Sequence, residues 1–103
     1  MNKVFILGNL AKDPELTTTK NGASVCRMKV AVNRKMQDAT DFFNVVAWRV
    51  LAENCVKFLK KGNKVAVCGE LQNGSYESQN GEKRYITEIV AEEVQFLTEK
   101  KSD

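Results

Sequence analysis

Phe42 and Trp48 lie six residues apart in DFFNVVAWR, with Asn44 and Val46 between them. Along an extended chain side chains alternate, so these four share one face while Phe43, Val45 and Ala47 share the other. Both faces therefore carry large apolar groups, where a core needs only one. Burial on both sides, by a second layer or a subunit contact, is one explanation. The other is a stacking platform, on which aromatics at even spacing receive flat ligands such as bases.

Cations alternate in the same way one segment earlier. In ASVCRMKVAVN, Arg27 and Lys29 point one way with Ala31 and Asn33, and Cys26, Met28, Val30 and Val32 point the other. Charge on a wet sheet face discourages edge-to-edge aggregation. Beside an aromatic face it also suits contact with phosphates. A third group sits in NGSYESQNGEKR, where Tyr76 is followed by Lys83 and Arg84. A single Tyr in so polar a stretch is poorly explained by a core role.

Covalent chemistry finds little support. The 103 residues include no His, which removes Ser-His-Asp and Cys-His catalysis and the usual zinc site together. Asp13 with Glu15, and Glu92 with Glu93, lack a third ligand nearby in sequence. Gly8, Gly62 and Gly69 are isolated, so no phosphate-cradling loop is present. Cys26, Cys55 and Cys68 are odd in number, lie on or beside apolar patterns and form no CxxC, as expected of reduced packing residues in a cytosolic protein. No catalytic residue, cofactor or metal is expected.

The elements that must hold these groups are mostly strands. Asn2–Leu10 reads as the first, with Gly8 marking a bulge or a close backbone approach. A polar loop runs from Asp13-Pro14 to Asn21-Gly22. Ala23–Asn33 is the second strand and Phe42–Arg49 the third, joined by the basic connection Arg34–Thr40. The period then changes: Leu51, Cys55, Phe58 and Leu59 form a helical stripe, closed by Lys57, Lys60 and Lys61 with Gly62 as a left-handed cap. Lys64–Leu71 returns to strand alternation. Asn73–Arg84 reads as a long hairpin turning at Asn80-Gly81, followed by Tyr85–Ala91 and Val94–Leu97. One helix in a chain otherwise written in strands predicts an all-β fold: a five-stranded OB-fold barrel with one α-helix between the third and fourth strands. The chain is long enough for one domain, expected over residues 1–98, with a short polar tail over 99–103.

Net charge is only +3, yet between Lys20 and Arg49 six basic residues face two acidic ones. The mild total permits an anionic partner, and the distribution says where it would bind. No apolar run is long enough to span a membrane. The N-terminus lacks a small-residue cleavage site and reads as a strand.

With these residues in view, MNKVFILGNLAKDPEL, DFFNVVAWRVLAENCVKFLKKGNKVAVCGEL and SYESQNGEKRYITEIVAEEVQFL resemble, in order and over nearly the whole chain, the bacterial and phage single-stranded DNA-binding proteins. The resemblance implies a cytoplasmic homotetramer of OB-folds, with a dimer as fallback, that holds single-stranded DNA during replication, recombination and repair without strong sequence preference. It puts stacking on Phe42, Trp48 and Tyr76, and Met36 at a further position where the family has an aromatic. Lys3 and Lys61 match its backbone-contacting cations, and Asn44 a polar or basic position between the aromatics. Arg27, Lys29, Arg34, Arg49, Lys83 and Arg84 complete the expected polar contacts. Phe43, opposite the stacking face in a domain of modest core, fits assembly with other copies. Members usually carry a long tail with an acidic, Phe-terminated tip that recruits replication and repair enzymes. The sequence ends at KKSD, so that recruitment is not expected of it. Two other readings stand beside this one: an OB-fold subunit of a replication-restart or RNA-binding assembly, and a protein-interaction module that binds no nucleic acid.

Overall fold

Valine, isoleucine and aromatic residues at every second position suit a pleated, half-buried surface, and most of the chain takes that form. The computed structural model describes residues 1–97. The strands are β1 (Val4–Leu10), β2 (Glu15–Thr18), β3 (Ser24–Asn33), β4 (Thr40–Trp48), β5 (Lys64–Glu77) and β6 (Lys83–Phe96), with α1 (Arg49–Phe58) between β4 and β5. Pairing runs β1-β5-β6-β4-β3, and β3 returns to β1 through Asn9↔Ala31 and Leu10↔Val30. Five strands thus close a barrel. Every pairing is antiparallel except β4 with β6, where Val45 meets Ile89 and Val46 meets Val90. Closure leaves few unpaired strand edges, which a small sheet otherwise exposes.

The barrel is filled by Leu10, Met28, Val30, Val45, Val65, Val67 and Ile89. The helix covers one end, burying Ala52, Cys55 and Leu59 in the same cluster as Cys26 and Ala47. A ring this narrow brings backbones close. A Cβ on Gly8 would strike the Ala31 carbonyl oxygen, and one on Gly69 the Val90 carbonyl oxygen. Gly8 is therefore a close-approach glycine. Gly69 sits where the β5–β6 register shifts, beside Cys68.

The all-β barrel with a single helix matches the sequence expectation; five details differ. The polar stretch after Pro14 contains β2, which pairs with β3 from Glu15↔Arg27 to Thr18↔Ser24. Its residues are all exposed, so no apolar pattern marks it. The two expected final strands are one, β6, because pairing with β5 resumes at Cys68↔Glu93 after Gly69↔Ala91, with Glu92 skipped at the register shift. The hairpin is regular nearly to its tip, ending at Glu77↔Lys83, and turns through Ser78–Glu82, where the Ser78 N–H donates to the Glu82 carbonyl, rather than in two residues. On the helix, Phe58 is exposed and Ala52 takes its place in the core. The helix is capped by the Leu59 N–H on the Cys55 carbonyl. Gly62, at φ +92°, serves the following turn instead, donating its N–H to the Leu10 carbonyl.

The expected tail, 99–103, and the domain boundary at 98 lie outside the described residues.

Candidate nucleic-acid interface

Residues opposite one another in a ladder share a face, so the register defines the surface directly. On β3 and β4, Arg27 stands beside Val46, Lys29 beside Asn44, Ala31 beside Phe42 and Val25 beside Trp48. Val46 pairs in turn with Val90 of β6, and Val90 with Glu70 of β5. Counting outward by twos along the β5–β6 ladder, Glu88, Ile86 and Arg84 follow on β6, and Gln72, Gly74 and Tyr76 on β5. One continuous front face therefore carries Arg27, Lys29, Phe42, Asn44, Glu88, Ile86, Arg84 and Tyr76.

Three aromatic rings on this face are open to solvent: Phe42 is 59% exposed, Trp48 42% and Tyr76 56%. Phe42 and Trp48 are roughly 20 Å apart along the strand. Between them Val46 is buried, and Lys29, Asn44, Ile86 and Glu88 line a hollow of about 130 Å³. Small Ala31 beside Phe42 leaves that ring uncovered on one flank.

Trp48 ends its strand through a sharp turn. The next residue, Arg49, has φ +58°, a left-handed value that costs a side-chain-bearing residue about 1–2 kcal/mol. That turn sends the helix across the barrel mouth and leaves the Trp48 ring outside. Arg49 is exposed at this junction.

The expected cations are not equally free. Arg27 is ion-paired with Glu88 on the same face. Arg34, in the loop between β3 and β4, grips both carboxylate oxygens of Asp41 at 3.0 Å and holds Gln37 at 2.8 Å. The hydrogen bonds to Arg34 hold the Asp41 carboxyl below the usual carboxylate range, and Asp41 in turn raises Arg34. Met36, in the same loop, is 91% exposed. Arg84 pairs with Glu82 at 3.3 Å. Lys83 lies on the other side of the hairpin from Arg84, its ammonium over the Tyr85 ring. Lys61 is exposed in the turn after the helix, where its backbone N–H donates to Asp13 at 2.8 Å. Lys3, just before β1, is bound to Glu92 on the far half of β6. The structure thus gathers Arg27, Lys29, Asn44, Phe42, Arg84 and Tyr76 on one face, with Trp48 and Arg49 at its end. Arg34 and Met36 stand in the flanking loop, and Lys3, Lys61 and Lys83 stand apart.

Two members of this face escaped sequence reasoning. Glu88 meets Arg27 across 61 residues of chain, which no local pattern signals. Ile86 was readable as an alternate position of its strand, but its face becomes known only once β6 is set beside β4.

Phe43, whose place opposite the stacking face fits assembly with other copies, packs partly buried against the barrel core. The exposed apolar side chains on the outside of β1 are Phe5 and Leu7, which with Ala66 and Cys68 border a concavity of about 380 Å³. Among the described residues no group of three His, Cys, Asp or Glu side chains comes together, and no helix is long and apolar enough to cross a membrane.

The profile of the single-strand binding protein family matches residues 1–97. Single-stranded DNA-binding protein A of Bacillus subtilis (strain 168) is 47% identical over 105 residues, covering 97% of this chain and 61% of that protein. The single-stranded DNA-binding protein of Bacillus cereus is 46% identical over 102 residues, covering 94% of this chain and 60% of its own. Single-stranded DNA-binding protein 1 of Staphylococcus aureus (strain MSSA476) is 40% identical over 108 residues, covering 100% and 69%. The chain spans about three fifths of the length of the two Bacillus relatives.

Proposed function

Because this chain belongs to the single-strand binding protein family, we propose that it binds and protects single-stranded DNA, largely without regard to sequence and without catalysis. The observation that carries the reading is the front face itself. Phe42 and Trp48 are presented at even spacing on β4, beside the cationic row of β3, and the same face runs on to Tyr76. Stacking suits every base, because every base has a π-face, and cations that follow the backbone add affinity without reading sequence. On this reading the strand lies across β3 and β4, with bases on Phe42 and Trp48 and phosphates near Lys29 and Arg49. Asn44 supplies a polar contact between the rings. Met36 packs on a base by its thioether, more weakly than a ring would. Lys3 and Lys61 meet the strand where it leaves the face.

The protein then serves replication, recombination and repair in the bacterial cytoplasm, where single strands arise. It does so as an assembly of copies, a tetramer or at least a dimer. The apolar concavity beside Phe5 and Leu7 supports this part of the reading, since exposed apolar groups on a small domain favour a partner.

The test is a titration of oligo-dT and of matched duplex at two salt concentrations, with mass measured in parallel. Single strands should bind far more tightly, because a duplex hides the base faces. The log–log salt slope should be roughly −0.7 per phosphate neutralised. Equal affinity for duplex and single strand would overturn the reading. A monomer at micromolar concentration with binding intact would reject the assembly alone.

A further inference from the structure

The long β5–β6 hairpin has a second face. Past the barrel, Gln72–Thr87 is a two-stranded ribbon with solvent on both sides. Its front carries Tyr76 beside Arg84. Its rear continues the row that faces the core lower down: Ile89, 1% exposed, is followed outward by Thr87, Tyr85 and Lys83. The core ends and the row does not. Tyr85 therefore occupies a core-facing parity with no core residue behind it among the described residues, and is 78% exposed.

Its surroundings are polar and cationic. Ser75 stands directly opposite and is too small to cover the ring. Next to it Thr87 donates a hydrogen bond to Asn73 at 2.8 Å. The Lys83 ammonium lies 5.7 Å from the ring centroid, although Glu77 stands across from it in register. The front offers the same combination, a tyrosine with a cation at its side. Front and rear meet at the tip, where a hollow of about 410 Å³ is lined by Tyr76 from the front and by Ser75, Glu77, Lys83 and Gly81 from the rear and the turn.

We infer that the hairpin is a two-sided arm, and that single-stranded nucleic acid crossing the front face rounds its tip and stacks a further base on Tyr85. The inference rests on the proposed function, which it deepens by adding a subsite. A flexible polyanion fits the observations better than a second protein chain. A protein contact needs an apolar patch, and the rear row offers only Leu71 beyond the ring. A base needs one open aromatic face and a nearby cation, and finds both. A two-stranded ribbon is marginally stable alone, so a strand wrapped around it would also order it.

Two oligo-dT lengths test this: one of about 8 nucleotides, enough for a single front face, and one about four times as long. Tyr76→Ala should weaken both. Tyr85→Ala should weaken the long oligonucleotide by about ten-fold, as expected for loss of one stacked base, and leave the short one within about two-fold of wild type. Tyr85→Phe keeps the ring and should restore long-oligonucleotide binding, with mass unchanged throughout. Unaltered binding of the long oligonucleotide by Tyr85→Ala would overturn the inference while the proposed function stands. So would a fall in mass, which would make Tyr85 a contact between copies. If the wild-type protein binds neither length, the proposed function fails and the subsite with it.

Discussion

Arg27 and Glu88 face each other as an ion pair in the middle of the surface that carries Phe42 and Tyr76. The carboxylate there occupies the guanidinium that a phosphate would use. In the free protein this cation is neutralised, and a bound strand must displace Glu88 or go elsewhere. Glu88→Gln keeps the side chain's shape and removes the competing charge. The expected result is tighter binding of oligo-dT, by about three-fold to ten-fold at low salt, with a salt slope steeper by up to about 0.7. Because the pair is partly exposed, stability should change by less than about 1 kcal/mol. Weaker binding in this variant would mean that Glu88 itself holds the ligand.

The loop between β3 and β4 should respond to acid. Asp41 accepts two hydrogen bonds from Arg34, which lower its pKa. A carboxylate whose folded pKa is depressed contributes order that is present above its unfolded value and is lost as pH falls through the folded one. From neutrality down to the usual carboxylate range the loop should therefore stay fixed, and below that it should loosen. Amide spectra of residues 34–41 recorded against pH report this directly. In Asp41→Asn the loop should already be loose at pH 7 and insensitive to acid. Wild-type loop signals that shift between pH 8 and 6 would point to some other group.

Closing so small a barrel depends on two glycines. At Gly8 and Gly69 an added methyl would meet a carbonyl oxygen of the neighbouring strand, Ala31 or Val90. Backbone in a closed ring has little room to retreat. Gly8→Ala and Gly69→Ala should each lower unfolding free energy by about 1–3 kcal/mol, as overpacking generally does. Gly74→Ala, on the arm, has only the Ile86 side chain at ordinary contact distance and should be nearly neutral. Denaturant midpoints of the three variants would check the ordering.

What the sequence made legible follows physical range. Alternation is local, so the faces of β3 and β4, and the presence of a helix after Trp48, could be read from neighbours at i+2 and i+4. The front-face membership of Phe42, Asn44, Arg27 and Lys29 came from that alone. Pairing across the barrel is not local. Nothing in Glu15–Thr18 announces a strand, because β2 is exposed throughout and exists by pairing with β3. Phe58 fell on an apolar stripe yet is exposed, because the covered sector of α1 is centred on Ala52 and Cys55, whose small side chains let the helix sit close. Phe43 looked like a second apolar face in search of a partner, and the partner is the barrel's own core. The roles of Arg34 and Arg27 depended on Asp41 and Glu88, and only the first of these lies nearby in sequence.

Trp48 offers the most direct measurement on the front face. It is the single Trp, so emission reports one place in the chain. The ring is 42% exposed, at the end of β4 next to the strained turn at Arg49. A base stacked on it should quench the emission strongly when oligo-dT is added. Trp48→Ala should then weaken binding by about 1–3 kcal/mol, and Trp48→Phe should keep part of that, because a smaller π-face still stacks. Phe42→Ala should cost a similar amount, since that ring is the more exposed of the two, while leaving Trp48 and its quenching in place. The variants differ in their effect on the fold. Val25, the neighbour of Trp48 in register, is buried, so removing the indole uncovers apolar surface and should also lower stability, by about 1 kcal/mol. Measuring binding below the melting temperature of every variant separates the two losses. If DNA leaves the emission unchanged and Trp48→Ala dissociates the assembly before it weakens binding, the indole lies between copies. The binding face would then have to be sought on Tyr76 and the hairpin.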